Sequence, residues 1–155
     1  MTYDNQHAWT AYRIADAFAN YNQLETAQKY YLIAVNLAPY VLDFRMKLSS
    51  TYTVQKEWDE SIKHYEWILK EFPKMESAWC NLGFNYLQKG DWQKAEECYN
   101  QSLTLNPKHI QTLLNKAALY ILLDEKEKVV LYLKKVLEVN PNHIKAQTLL
   151  KEINH

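Results

Sequence analysis

The chain has 155 residues, 48% hydrophobic and 23% charged, which is long enough to bury a sizeable core and balanced as a soluble protein is. Two glycines and four prolines leave little room for tight turns or linkers, which favours helices over a sheet. Eighteen Lys and Arg are matched by eighteen Asp and Glu, so no basic surface is on offer for phosphates and nucleic acid is not expected as a partner.

The start, MTYDNQHAW, has no basic leader or apolar stretch of the kind a signal peptide carries. The longest apolar runs, such as Ala117–Leu123, are too short to cross a bilayer, so direct membrane insertion is not expected. Cys80 and Cys98 form no CxxC pair, and free thiols in a reducing cytoplasm are the expectation. The alternative setting is a piece of a larger exported or membrane-associated protein.

The prolines stand at 39, 73, 107 and 141, each 34 residues after the one before. They divide the chain into blocks 8–41, 42–75, 76–109 and 110–143, each reading as helix, turn, helix. In the first block Ile14, Ala15 and Phe18 share one helical face and Ala27, Tyr31 and Ala34 another, with Asn22-Gln23 between the helices. The second repeats this with Ser49 and Tyr52, the turn Lys56-Glu57, then Ser61, Tyr65 and Ile68. The third has Gly83 and Tyr86, then Gly90-Asp91, a pair suited to a left-handed C-cap and the next N-cap, then Ala95, Tyr99 and Ser102. The fourth has Ala117 and Tyr120, Asp124-Glu125, then Val129, Leu133 and Val136. Each proline closes its second helix, because it lacks an N–H and disfavours helix in the residue before it. Residues 144–154 restart a first helix. There Ala146, Leu149, Leu150 and Ile153 can cover the fourth block while Lys145, Lys151 and Glu152 face water, as a capping helix requires. No such cap is read at the N-terminus, where Trp9, Tyr12 and Phe18 lie in the first helix.

Small residues at 15, 49, 83, 117 and at 27, 61, 95, 129 let paired helices approach, while aromatic residues fill the space between layers. A 34-residue period with these columns resembles the tetratricopeptide repeat family, most fully in the third block: Trp79, Leu82, Gly83, Tyr86, Ala95, Tyr99 and Pro107. The resemblance implies an all-α, right-handed solenoid of four helix-turn-helix repeats with a C-terminal capping helix, forming one domain over 1–155. Arg45 stands where the third block has Trp79, and Lys116 where it has Leu82, so poorer packing is expected at both.

No catalytic residue, cofactor site or metal site is expected. The five histidines are scattered, with His109 and His143 at one repeat position where a helix restarts. No HExxH, GxSxG, GxxxxGK[ST] or GxGxxG string occurs, and Cys80 has no base one helical turn away. Trp58 and Trp92 open second helices and read as packing residues.

In such a solenoid the first helix of each pair lines the concave side. The residues left over from packing there are Trp9, Tyr12, Arg13 and Asp16, then Asp43, Met46, Lys47 and Ser50. Ser77, Cys80, Asn81 and Phe84 follow, and finally Gln111, Leu114, Asn115 and Ala118. In some members of the family asparagines in one column hold the backbone of an extended peptide, since an amide offers donor and acceptor together. That column here is Arg13, Lys47, Asn81 and Asn115. Tyr12, Arg13, Lys47, Asn81, Phe84, Leu114 and Asn115 are therefore the expected peptide-binding residues. Arg13 and Lys47 would make a cationic end, and Phe84, Leu114 and Ala118 would supply apolar contact. Members that hold chaperone C-terminal carboxylates use a Lys, Asn, Asn, Lys, Arg clamp. Here the corresponding places hold Tyr12, Asp16, Lys47, Ser77 and Asn81, or, one repeat on, Met46, Ser50, Asn81, Gln111 and Asn115, so that specificity is not implied. The expected function is a protein-binding scaffold. The alternatives are self-assembly through the uncapped first repeat and a scaffolding part of a larger protein.

Overall fold

A computed structural model of the chain describes residues 3–154, and among them nine α-helices and no strand. They fall into two compact units, 1–73 and 74–155. The first unit holds α1 (Tyr3–Asn20), α2 (Leu24–Leu37), α3 (Leu42–Val54) and α4 (Trp58–Glu71). The second holds α5 (Glu76–Gln88), α6 (Trp92–Leu105), α7 (Ile110–Leu122), α8 (Lys126–Val139) and α9 (Ile144–Asn154).

The punctuation repeats as faithfully as the prolines. Every second helix stops two residues before its proline, at Leu37, Glu71, Leu105 and Val139. Inside each hairpin the chain turns through one left-handed residue at a fixed register: Asn22, Lys56, Gly90 and Asp124, with φ of 58°, 63°, 80° and 56°. The following N–H reaches back five residues in each case, as from Asp91 to the Tyr86 carbonyl at 3.0 Å, which satisfies the helix end. Asp91 then caps α6, accepting from the Lys94 N–H at 3.2 Å. α1 starts five residues ahead of the first block, because nothing in Asn5, Gln6 and His7 breaks a helix.

In the first unit the small column does what its spacing implies. Ala8, Ala15, Ala27 and Ala34 are fully buried beside Tyr31, Phe44 and Leu48. In the second unit Ala95 and Tyr99 pack with Leu87 and Leu119, and α7 and α8 share a core of Leu113, Ala117, Val129, Leu133 and Val136. Ala146 of α9 is buried against that core with Leu149, Leu150 and Ile153, closing it off from water as the cap pattern requires. Each fully buried Leu or Val adds roughly 1.5–3 kcal/mol over exposure, so these seams hold the hairpins together. The architecture is an all-α helical repeat with a terminal capping helix.

Candidate functional site

In the first unit the expected binding residues lie along α1 and α3. Tyr12 is half-buried, its ring stacked on Phe44 at 4.9 Å and edge-on to Trp9 at 5.6 Å, while Trp9 meets the same Phe44 at 4.7 Å. These aromatics join the first hairpin to the second and present only part of each ring to water. Arg13 is exposed. Lys47 is exposed too, but its ammonium lies 3.4 Å from Asp16. Asp16 also accepts the hydroxyl of buried Tyr31, whose pKa is pushed up by burial and by that bond. The cationic end read from Arg13 and Lys47 therefore includes a carboxylate. A part-exposed pair of this kind contributes roughly 0–1 kcal/mol, so an incoming acidic group could compete for Lys47.

In the second unit Asn81 and Phe84 lie one turn apart on α5, and Leu114 and Asn115 are adjacent on α7, all four half-buried. The Asn115 amide donates to Cys80 Sγ at 3.4 Å and accepts from the Gln111 amide at 2.9 Å, so its nitrogen is spent on a weak acceptor. Leu114 leans partly into the α7–α8 core. Cys80, expected on this surface, is only 1% exposed. Asn115 from the neighbouring helix covers it, and burial pushes its thiol pKa up, which keeps it protonated and a poor nucleophile. A contact 35 residues along the chain, between neighbouring repeats, is invisible to a helical wheel. His109, read as a polar residue at a helix start, bonds Thr112 at 2.7 Å, and Thr112 bonds Ser102 at 2.7 Å in the buried interior. His143, at the same register, accepts the Ala146 N–H at 3.3 Å and so caps α9. Among the described residues no group of three or more His, Cys, Asp or Glu is placed to hold a metal ion.

The two departures from the repeat pattern turn out to be accommodated by polar contacts. Arg45 lays its guanidinium 3.8 Å over the Trp67 ring, donates to the Pro39 carbonyl at 3.2 Å, and donates to His64 Nδ1 at 3.1 Å. His64 in turn stacks on Tyr52 at 5.5 Å. Burial, and next the charge of Arg45, lower the His64 pKa from 6.5 to about 4. Because the native ring stays neutral while an unfolded one would bind a proton near pH 6.5, this contribution is complete above that pH and is lost as pH falls toward 4. The full shift corresponds to ~3 kcal/mol, and solvent screening of a part-exposed ring reduces this to roughly 1–2 kcal/mol. We expect urea denaturation between pH 7.5 and 4.5 to show that loss in the wild type and a shallower slope in His64→Gln. Parallel slopes would remove His64 as the cause.

Two segments, 77–109 and 110–143, match the family model for the tetratricopeptide repeat. The chain is a tetratricopeptide repeat protein. Among solved structures, one of a tetratricopeptide repeat protein from Parabacteroides merdae superposes with a TM-score of 0.81 at 23% identity, over 92% of this chain. This chain spans 57% of the length of that one. MamA from Desulfovibrio magneticus superposes with a TM-score of 0.81 at 17% identity, covering 88% of this chain and 77% of its own. The first tetratricopeptide domain of Spaghetti, bound to the HSP90 peptide SRMEEVD, gives 0.68 at 22% identity over 73% of this chain and 90% of its own. No curated protein sequence matches the chain. At these identities the likeness carries the fold, and the repeats make this tetratricopeptide protein an interaction module in the general sense of its family. Among the described residues, no helix of this repeat protein is long and apolar enough to cross a membrane.

Proposed function

We propose that the chain holds an extended segment of another protein against the first helices of its repeats. The observation that carries this is on α5 and α7, where Asn81, Phe84, Leu114 and Asn115 are all half-buried and uncharged. Half-buried apolar side chains still have area to lose to a ligand, and an amide such as that of Asn115 can exchange a weak internal bond for one to a peptide backbone. The Asn115 nitrogen, now on sulfur at 3.4 Å, has the most to gain from a carbonyl oxygen. Tyr12, Arg13 and Lys47 of the first unit suit a portion of the partner with a carboxylate, which would draw Lys47 from Asp16. The peptide-bound Spaghetti domain supports this general mode. The chaperone carboxylate is not the ligand we propose, because only Asn81 matches the clamp.

The test uses a peptide selected from a random display library by the whole chain and measured by fluorescence anisotropy. Phe84→Ala with Leu114→Ala should weaken binding at least about tenfold, and Asn81→Ala with Asn115→Ala at least about fivefold, at ~0.5–1.5 kcal/mol per bond. Arg13→Glu with Lys47→Glu should weaken acidic peptides and spare neutral ones. Unchanged affinity in all three variants would assign the peptide to another surface.

A further inference from the structure

Two charges stand in otherwise apolar columns of the repeat, and only one of them is neutralised. Lys116 bonds Asn100 and has Glu96 3.8 Å away. Arg45 takes the place that Ala11, Trp79 and Leu113 fill in the other repeats. Its hydrogen bonds run to uncharged groups, the Pro39 carbonyl and His64 Nδ1, and its Nε is buried without a partner. A guanidinium has five N–H donors, so most of them are unused. Burial lowers the pKa of Arg45 and no carboxylate opposes that effect. The group is still protonated at neutral pH, and a part-buried charge is normally paired. The side chains around Arg45 depart from the repeat with it. Trp67 stands where the other blocks have Ile33, Gln101 and Lys135, and Tyr40 where the next two have Lys74 and Lys108. The guanidinium lies 3.8 Å over the Trp67 ring, and Tyr40 sets its own ring 6.3 Å from the same indole. At 79% exposure Tyr40 contributes little to the core of the first unit.

We propose that Arg45, with Trp67 and Tyr40 beside it, is a docking point for a carboxylate on an acidic side chain of an interacting protein. The sign follows from the missing counter-ion, since an incoming carboxylate would supply to Arg45 what Glu96 supplies to Lys116. The charge of the ligand follows from the surroundings. His64 is neutral beside the guanidinium, and Lys63, the other cation that acts on His64, is held by Glu60 at 2.5 Å. Lys70 and Glu71, one turn beyond Trp67, are exposed and opposite in sign. One positive charge remains, on a planar fork that matches a carboxylate better than a doubly charged phosphate. Trp67 and Tyr40 offer ring surface to the methylene groups that carry such a carboxylate. A single ion pair at a part-exposed site holds a free acid weakly, so the contact gains its use when the rest of a protein surface holds the carboxylate in place. The site shares no residue with the proposed peptide surface and stands or falls separately from it.

The test follows the Trp67 indole N–H signal of the whole, isotope-labelled chain by NMR at neutral pH and constant ionic strength. The probes are N-acetylglutamate α-amide and, as the uncharged control, N-acetylglutamine α-amide. The glutamate probe should give a saturable shift with Kd on the order of 10 mM, and the glutamine probe none. Tyr40→Ala alters an exposed position, so circular dichroism should be unchanged while the probe binds at least about threefold more weakly. Arg45→Gln should abolish the shift, and Arg13→Glu with Lys47→Glu should leave it as it is. The proposal is overturned by the absence of a saturable shift up to ~50 mM, by an equal response to both probes, or by a shift that survives Arg45→Gln. Undiminished affinity in Tyr40→Ala overturns it as well, and does so even where Arg45→Gln fails to fold. Tighter binding of inorganic phosphate than of the glutamate probe overturns it in favour of a phosphate site.

Discussion

Gly83→Val is expected to lower the unfolding free energy by about 3 kcal/mol, the largest loss from any one added side chain on the inner seams of the hairpins. A Cβ at Gly83 would lie 2.7 Å from Tyr99 Cε1, 2.8 Å from Tyr99 Cδ1 and 3.1 Å from the Ala95 carbonyl oxygen. Tyr99 is 0% exposed and cannot swing out, and the carbonyl belongs to the α6 backbone, so the helices themselves must separate. Gly83→Ala has a smaller effect, about 1–2 kcal/mol, because alanine regains roughly 1 kcal/mol of helix propensity over glycine. The loss stays finite because the first repeat sets Ala15 in the same core as buried Tyr31, so a hairpin of this kind can open enough to take a Cβ beside an aromatic. The fourth repeat solves the problem differently, with Ala117 in the core of Leu133. Gly83→Ala combined with Tyr99→Leu copies that pair and should recover more than half of the loss in urea denaturation. If the double variant is no more stable than the sum of the two single changes, the close approach to Tyr99 is not the cause.

Lys116→Ala should cost about 3 kcal/mol, and Lys116→Met less than about 1 kcal/mol, with urea denaturation as the measurement. Lys116 is 2% exposed, yet its ammonium is served from several sides. It bonds Asn100 Oδ1 at 2.5 Å, lies 3.8 Å from Glu96, and faces the Tyr132 and Tyr120 rings at 4.9 Å and 5.7 Å. Glu96 also accepts the Tyr120 hydroxyl, so one carboxylate ties α6 to α7 twice. Alanine removes the stem that fills this space and leaves a cavity. Methionine keeps nearly the same volume, and the Glu96 side chain, 38% exposed, can be solvated once the ammonium is gone. The difference between the two variants separates packing from charge. Equal losses would mean that the ion pair, and not the stem, holds the helices together.

Much of this was legible in the residues. The prolines and the residues at 22, 56, 90 and 124 act through local rules: a missing N–H ends a helix, and one left-handed residue turns the chain. Such rules operate within five or six residues, so the hairpin boundaries could be read without the fold. The alanine and tyrosine columns were legible for a related reason, since a helix puts every third and fourth residue on one face. Residues whose surroundings come from another repeat were harder to place. Cys80 reads as a surface residue on a wheel of α5, and it is Asn115, from α7, that covers it. Arg45 and Lys116 read as packing faults because a wheel shows polarity but not the Trp67 ring, His64, Asn100 or Glu96 that receive them. The one available signal was that each charge sits in an otherwise apolar column, which calls for buried partners.

The binding surface divides in the same way. Which positions recur on the first helices follows from the residues alone, because a 34-residue step preserves helical phase from Arg13 to Lys47 and from Asn81 to Asn115. What those side chains already hold comes from the packing of one helix on the next: Asp16 against Lys47, sulfur against Asn115, and Phe44 beneath Tyr12 and Trp9. Periodicity is a property of one helix, set by backbone geometry that every residue shares. The partners of a side chain come from a neighbouring helix, and distance along the chain carries no record of that until the hairpins are packed.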